Sequence, residues 1–260
     1  MSQAYWKELA LAEKLAETAR PIVLAHFREA LDVIAKDDLS PVTIADREAE
    51  RAMRDQIGET FPDHGILGEE FGQENIDADY VWALDPIDGT KSFITGTPLF
   101  GTLVSLLKAG SPVIGIIDMP ALNERWVGCD GRPTTFQGKN VHVRPCASLD
   151  KAWLYATSPH MFESDFPAFE KVRKQTHCAL YGIDCYAYGL LANGACDLVI
   201  EATMGIYDFC ALAPVVAGAG GTMTDWRGGA LNLQSDGRVV AAGDPAMSRA
   251  ALDILRVQTY

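Results

Sequence analysis

Five acidic residues and the small residues among them could do chemistry together. They are Glu69 and Glu70 in Gly68-Glu69-Glu70, Asp85 and Asp88 in Asp85-Pro86-Ile87-Asp88-Gly89-Thr90, and Asp208 in Ile206-Tyr207-Asp208. Carboxylate oxygens are the ligands that hard divalent cations take. Two aspartates three apart, braced by Pro86 and followed by Gly89-Thr90, are poorly accounted for as ordinary solvated surface. Residues 81–84 read as a short buried strand, which puts Asp85 at its C-terminal end. Pro86 fixes one backbone torsion and donates no hydrogen bond, so the turn after the strand is expected to be stiff. Gly89 lets the backbone approach a ligand closely, and Thr90 suits the N-cap of a helix beginning at Lys91. Oxygen ligands on a stiff turn beside a helix N-terminus suit a divalent cation and an oxyanion together. The plainer alternative is an acidic turn that caps a helix, and it weakens once Glu69 upstream and Asp208 downstream are counted with it.

The elements that must position these residues follow from periodicity. Residues 4–30 show helical spacing, with Leu9, Leu15, Ile22, Val23 and Phe27 on one side, and His26 on that helix reads as a core or boundary histidine. A loop follows, in which Thr43 or Asp46 could cap a second helix running to about residue 60; its charges, Arg47, Glu48, Glu50, Arg51, Arg54 and Asp55, read mostly as a solvated face. Residues 66–143 turn to short β-rich runs at 81–84, 101–107, 113–119, 125–127 and 141–143, with Gly110-Ser111-Pro112 as a turn in an antiparallel meander. Beyond residue 149 strand and helix alternate: strands at 153–157, 179–181 and 198–200, helices at 166–175, 185–193 and 209–219. The last of these stops at Gly220-Gly221. That alternation favours layered packing of helices on sheets, with a soft boundary near residues 145–150.

Bulk properties bound the function. A chain of 260 residues, 48% hydrophobic and 22% charged, is one large domain or two small ones with ample core. A net charge of −13 argues against nucleic acid, whose phosphates need clustered Lys and Arg. It does not exclude an anionic small substrate, because bound cations reverse the local field. The N-terminal stretch lacks the unbroken apolar core of a signal peptide, and no apolar run approaches the roughly 18 residues of a membrane span. Six cysteines (129, 146, 178, 185, 196 and 210) are scattered without a C-x-x-C pair and read as buried small hydrophobes in a reducing cytoplasm. No G-x-S-x-G elbow exists, Gly138-Lys139-Asn140 ends in Asn where a phosphate loop needs Ser or Thr, and Gly218-Ala219-Gly220-Gly221 is a helix stop.

Taken in order, Lys36, Asp46, Gly68-Glu69-Glu70, Asp85-Pro86-Ile87-Asp88-Gly89-Thr90, Glu201, Tyr207-Asp208 and the glycine-rich helix end resemble the inositol monophosphatase superfamily of metal-dependent phosphatases. The resemblance covers nearly the whole chain. It implies an α+β / α/β fold, a five-layered αβαβα sandwich of the sugar-phosphatase type. Residues 1–148 would form an N-terminal half with an antiparallel sheet and most metal ligands, and 149–260 a smaller α/β half, the two making one catalytic unit. It further implies that Glu69, Asp85 and the carbonyl of Ile87 hold one metal, and that Asp85, Asp88 and Asp208 hold a second. Glu69 and Thr90 would orient the attacking water, and the amides of Gly89 and Thr90 would cradle the phosphate. By the same resemblance, substrate contacts would map to Asp88, Gly89, Thr90, Gly182, Ile183, Asp184, Glu201 and Asp208, while Lys36, Asp46 and Glu70 would support the ligands from behind. Two or three Mg²⁺ ions per site, a small phosphate-monoester substrate, a homodimer in the cytoplasm, and no nucleic-acid or membrane partner complete the expectation.

The sequence departs from the inositol-hydrolysing pattern. Lys91-Ser92-Phe93 follows the Asp-Gly-Thr run, Tyr207 stands where Trp is common, and Asp184 stands where a small neutral residue is usual. These forms resemble the histidinol-phosphate phosphatase branch. The expected reaction is therefore hydrolysis of histidinol phosphate, as in histidine biosynthesis. The alternatives are inositol 1-phosphate or another small sugar or nucleotide phosphate and, more remotely, an inactive metal-binding scaffold. The plain readings of Asp184 and Glu201 are a helix cap and a strand-end surface acid.

Overall fold

Apolar residues at helical spacing near the N-terminus form α1 (Trp6–His26), which buries Leu11, Leu15, Ala19 and Val23. The computed structural model describes residues 5–29, 34–35, 41–42 and 44–256, so Lys36 and Thr43 lie outside the described residues. After a small antiparallel pair, β1 (Ile34–Ala35) with β2 (Pro41–Val42), comes α2 (Ile44–Thr60). Its inward stripe is Ala45, Asp46, Ala49, Glu50, Met53 and Ile57, so Glu50 belongs to the buried face and not to the solvated one. α1 and α2 pack side by side and cover one face of an eight-stranded sheet.

That sheet holds β3 (Gly65–Gly68), β4 (Gly72–Glu74), β5 (Tyr80–Asp88), β6 (Gly101–Lys108), β7 (Ser111–Met119), β8 (Glu124–Cys129), β9 (Thr135–Phe136) and β10 (Lys139–Asn140). Its spatial order is β10-β9-β8-β7-β6-β5-β3-β4, antiparallel throughout except where β3 runs parallel to β5. β6 and β7 are apolar almost without alternation because both faces are covered. Val104, Leu106, Ile114 and Ile116 join the α1–α2 core, whereas Leu103, Ile117 and Met119 join the core on the other side. Residues 141–143 form no strand: the Val141 and Val143 N–H groups instead bond the Thr134 and Ala219 carbonyls, drawing the chain off the sheet toward a helix end.

A second sheet has the order β12 (Cys178–Tyr181), β11 (Trp153–Ala156), β13 (Leu198–Glu201), β15 (Val239–Ala242), β14 (Thr222–Asp225). β12, β11 and β13 run parallel, and β15 runs antiparallel to both of its neighbours, β13 and β14. Between the sheets lie α5 (Tyr186–Ala192) and α6 (Ile206–Gly218), while α4 (Phe166–Arg173) and α7 (Pro245–Leu255) cover the outer face of the second sheet. The result is the five-layered αβαβα sandwich.

α6 is pressed onto the first sheet. A Cβ at Gly115 would lie 1.9 Å from the Ala211 carbonyl oxygen, and one at Gly128 would lie 2.5 Å from Pro214. Pro214 has no N–H to give the Cys210 carbonyl, and the Ser105 hydroxyl donates to that carbonyl at 2.8 Å in its place. The helix therefore has a fixed seat, and its first turn is delivered to the end of β5. Among the described residues, no helix is long and apolar enough to cross a membrane.

Candidate active site

β5 extends further than periodicity suggests, through Asp85-Pro86-Ile87-Asp88 to its end. Pro86 cannot donate to a ladder, and the register with β6 slips between Asp85 and Asp88. The slip places both aspartates at one spot on the sheet. Buried Asp85 accepts the Ile87 N–H at 2.9 Å, and Asp88 accepts the Cys185 N–H at 2.7 Å, tying β5 to the start of α5. Gly89 occupies the N-cap position of α3 (Thr90–Ile94) with φ 83°, the left-handed region where glycine carries no penalty. A Cβ there would also crowd Asp184 Oδ2 at 3.0 Å. Thr90 is therefore the first helical residue, not the cap, and its hydroxyl donates back to the Ile87 carbonyl at 3.1 Å.

Asp208 arrives in the first turn of α6, its carboxylate accepting the Gly205 N–H at 2.8 Å. One oxygen from each of Asp85, Asp88 and Asp208 lies within 4.8 Å of the others. Glu69 follows the last residue of β3, which pairs beside Leu84 of β5; its N–H bonds the Leu84 carbonyl at 3.2 Å, which sets Glu69 next to Asp85. The electrostatics agree. Burial pushes the Asp85 carboxyl well above the usual range, and the charges of Glu69, Asp208, Asp88 and Asp46 push it further. Asp208 is raised well above its ordinary value by burial, then by Asp88 and Glu69. Asp88 is raised by burial against the pull of its Cys185 hydrogen bonds. Carboxylates crowded at a largely buried site cannot all stay ionised without a counter-charge. An all-oxygen donor set of this kind fits a hard divalent cation.

Beyond the aspartates lies a cavity of about 120 Å³ bounded by Asp88, Thr157, Asp184, Tyr188, Glu201 and Asp208, with Met161, Cys185, Thr203, Met204 and Leu212 completing its wall. Among the described residues, no Lys or Arg lines it. Glu201, at the end of β13, is buried, not a surface acid; it accepts the Thr157 N–H at 3.1 Å and the Thr157 hydroxyl at 2.9 Å. Burial raises its carboxyl well above the ordinary value, with Thr157 opposing. Asp184 sits at φ 42°, a strained conformation for a residue with a side chain. It accepts from the Ser92 hydroxyl at 3.4 Å and is held up to about 7, first by burial and then by Asp88. A larger hollow of about 920 Å³ at the far end of α6 shares no residue with these carboxylates.

The fold thus brings together Glu69, Asp85, Asp88, Gly89, Asp184, Glu201 and Asp208, with Ile87 and Thr90 joined by their hydrogen bond. Asp46 is buried in the first turn of α2, near enough to act on Asp85. Glu70 meets α2 through its backbone, since its N–H bonds Glu50. Gly182 and Ile183 precede Asp184 without lining the cavity. Lys36 lies outside the described residues. Thr157, Met161, Tyr188, Thr203 and Met204 were not singled out from the sequence, where nothing local marks them. Glu50 could have been found, because it falls on the same helical stripe as Ala49, Met53 and Ile57.

Comparison with known proteins bears on the family and the fold. A model of the inositol monophosphatase family matches residues 6–258. The bifunctional phosphatase IMPL2, chloroplastic, of Arabidopsis thaliana is 48% identical over 95% of this chain and 74% of its own length. A histidinol-phosphatase of Chlorobaculum parvum is 35% identical over 90% of this chain and 92% of its own. The solved structure of an inositol monophosphatase from Zymomonas mobilis superposes with a TM-score of 0.90 at 46% identity, covering 98% of this chain and all of that one.

Proposed function

The chain belongs to the inositol monophosphatase family, on the branch of its histidinol-phosphatase relatives, and from that premise we propose that it is a Mg²⁺-dependent histidinol-phosphate phosphatase. The family's enzymes are metal-dependent phosphomonoesterases. Glu69, Asp85 and the Ile87 carbonyl would hold one ion, and Asp85, Asp88 and Asp208 a second. When bound, the ions supply charge neutralisation and an activated water for in-line displacement at phosphorus. Glu69 and the Thr90 hydroxyl would orient that water, and Thr90 is held in place by its hydrogen bond to the Ile87 carbonyl. The Gly89 and Thr90 amides would face the phosphate oxygens, the Gly89 N–H here bonding the Asp88 carboxylate.

The observation that carries the substrate is that Asp184 and the buried Glu201 line the cavity beside the aspartates and that, among the described residues, no basic side chain does. A carboxylate there is costly to ionise without a counter-charge. Histidinol phosphate offers an ammonium and an imidazole beyond its phosphate, whereas inositol phosphate offers only hydroxyls. Asp184 and Glu201 would therefore recognise the cationic end, an interaction that a neutral polyol leaves unmade. Histidinol phosphate is expected to exceed inositol 1-phosphate by at least about 10²-fold in kcat/KM when both are assayed with Mg²⁺. A preference for inositol 1-phosphate would overturn the substrate and leave the metal chemistry standing. That second reading draws on the bifunctional name of one relative and the inositol monophosphatase title of the solved structure. All six cysteines are free thiols, which supports work in a reducing compartment such as the cytoplasm.

A further inference from the structure

We propose that Glu50 on α2 is the positioning residue for the turn that carries Glu69, and that its carboxylate sets how tightly the site holds its divalent cation. The proposal rests on Glu69 being a ligand, as above. Glu50 is completely buried. Its Oε2 accepts the Glu70 N–H at 2.7 Å, and its Oε1 accepts the Phe71 N–H at 3.2 Å. The same Oε1 accepts from Arg54 Nε at 2.7 Å. On the other side of Glu69, a Cβ added to Gly68 would fall 1.9 Å from Glu50 Oε1. One carboxylate thus presses on the backbone before Glu69 and bonds the two amides after it.

The outer side of the turn is fastened as well. Arg54 also donates to the Gly72 carbonyl and lies 3.7 Å from Glu74. The guanidinium groups of Arg47 and Arg51 stand 4.9 and 5.2 Å from the Phe71 ring centre, with Arg54 at 6.0 Å. Glu69 is held between this clamp and its own N–H bond to Leu84, one residue from Asp85. A buried ion pair is a poor way to gain stability alone, since desolvation offsets much of the attraction. Fixing a ligand-bearing turn is a use that such a pair serves well.

The test is a Mg²⁺ titration of the full-length protein without substrate, read by calorimetry, on wild type, Glu50→Gln, Glu69→Gln and the double variant. Glu50→Gln is expected to raise the Mg²⁺ Kd about 10–100-fold, as changes behind a ligand commonly do. In the Glu69→Gln background the same change should add little, because the residue it positions no longer binds as a carboxylate. Hydrogen exchange at the Glu70 and Phe71 amides should quicken in Glu50→Gln while that of β6 stays slow. Gly68→Ala, which displaces the carboxylate without removing charge, should move the Kd the same way and serves if Glu50→Gln fails to fold. An unchanged Kd in Glu50→Gln, or an equal rise with and without Glu69, would make Glu50 a simple structural staple and overturn the proposal. An unchanged Kd in Glu69→Gln itself would instead remove the ligand on which it rests, and the proposal with it.

Discussion

The aspartate cluster and the cavity beside it are both made of buried and half-buried carboxylates, yet they are held by different means. Asp85 and Asp88 sit on a central strand, fixed by a ladder slip at Pro86, and Asp208 is fixed by a helix seated on that sheet. Besides burial, the acids of the cluster raise one another. In the cavity, Glu201 is steadied by Thr157 and Asp184 by Ser92, neutral hydroxyls, and a small pull from the Lys91 charge leaves Asp184 still raised. Under the proposed function, the first group would take its counter-charge from a bound cation and the second from the substrate. Changes at the cluster should therefore strike all substrates alike, and changes in the cavity should discriminate among them.

The largest effect is expected at the cluster. Asp85→Asn and Asp208→Asn keep the shape and remove a charge, so each should cost several orders of magnitude in kcat on every phosphate ester, with circular dichroism unchanged. Excess chelator should abolish turnover, and Mg²⁺ should restore it; full activity in chelator would break the comparison at its root. Thr90→Ala comes next, with an expected loss of about 10²–10³-fold in kcat, because it removes an orienting hydroxyl and no charge.

Smaller and selective effects belong to the cavity. Asp184→Asn or Glu201→Gln should raise KM for histidinol phosphate about tenfold or more while leaving a neutral phosphate ester within about twofold. Equal effects on both esters would merge the two regions into one. The smallest effect concerns pH. Asp184 is raised to about 7 in the folded protein, and Asp85, Asp88 and Asp208 are raised above their ordinary value. A carboxyl with a raised folded value contributes stability that is fully present below its unfolded value near 4 and is lost as pH rises through the folded value. Metal-free protein should accordingly unfold at lower denaturant at pH 8 than at pH 5.5, and Mg²⁺ should flatten that slope by supplying the missing charge. A metal-free protein more stable at pH 8 would contradict the placement of these groups.

Much of the site was legible in the sequence because its signals are local. Asp85, Asp88, Gly89 and Thr90 lie within one turn of chain, where Pro86 and Gly89 constrain the backbone directly. Even so, the strand ran on through Asp88, and Thr90 gave up the cap position to Gly89. Residues 141–143 had the composition of a strand and formed none, because their N–H groups found carbonyls outside the sheet. Glu50 looked like one more surface charge among Arg47, Glu48 and Arg51. Its burial depends on a turn of β3–β4 that supplies two amides, and nothing on α2 announces that turn.

By itself, the sequence determined the kinds of ligand available, the layered alternation of helices and strands, and the family to which their order belongs. Those follow from side-chain chemistry and from periodicities that each element carries within itself. Only the tertiary structure decided which acids lose their water. Asp208 meets Asp85 because Gly115 and Gly128 let α6 lie flat on the sheet. Glu201 is sealed in because Thr157, on a neighbouring strand end, satisfies it with a hydroxyl and an amide. Burial is a property of what surrounds a residue, and for a charged group it sets both the cost of ionisation and the ligand that relieves it.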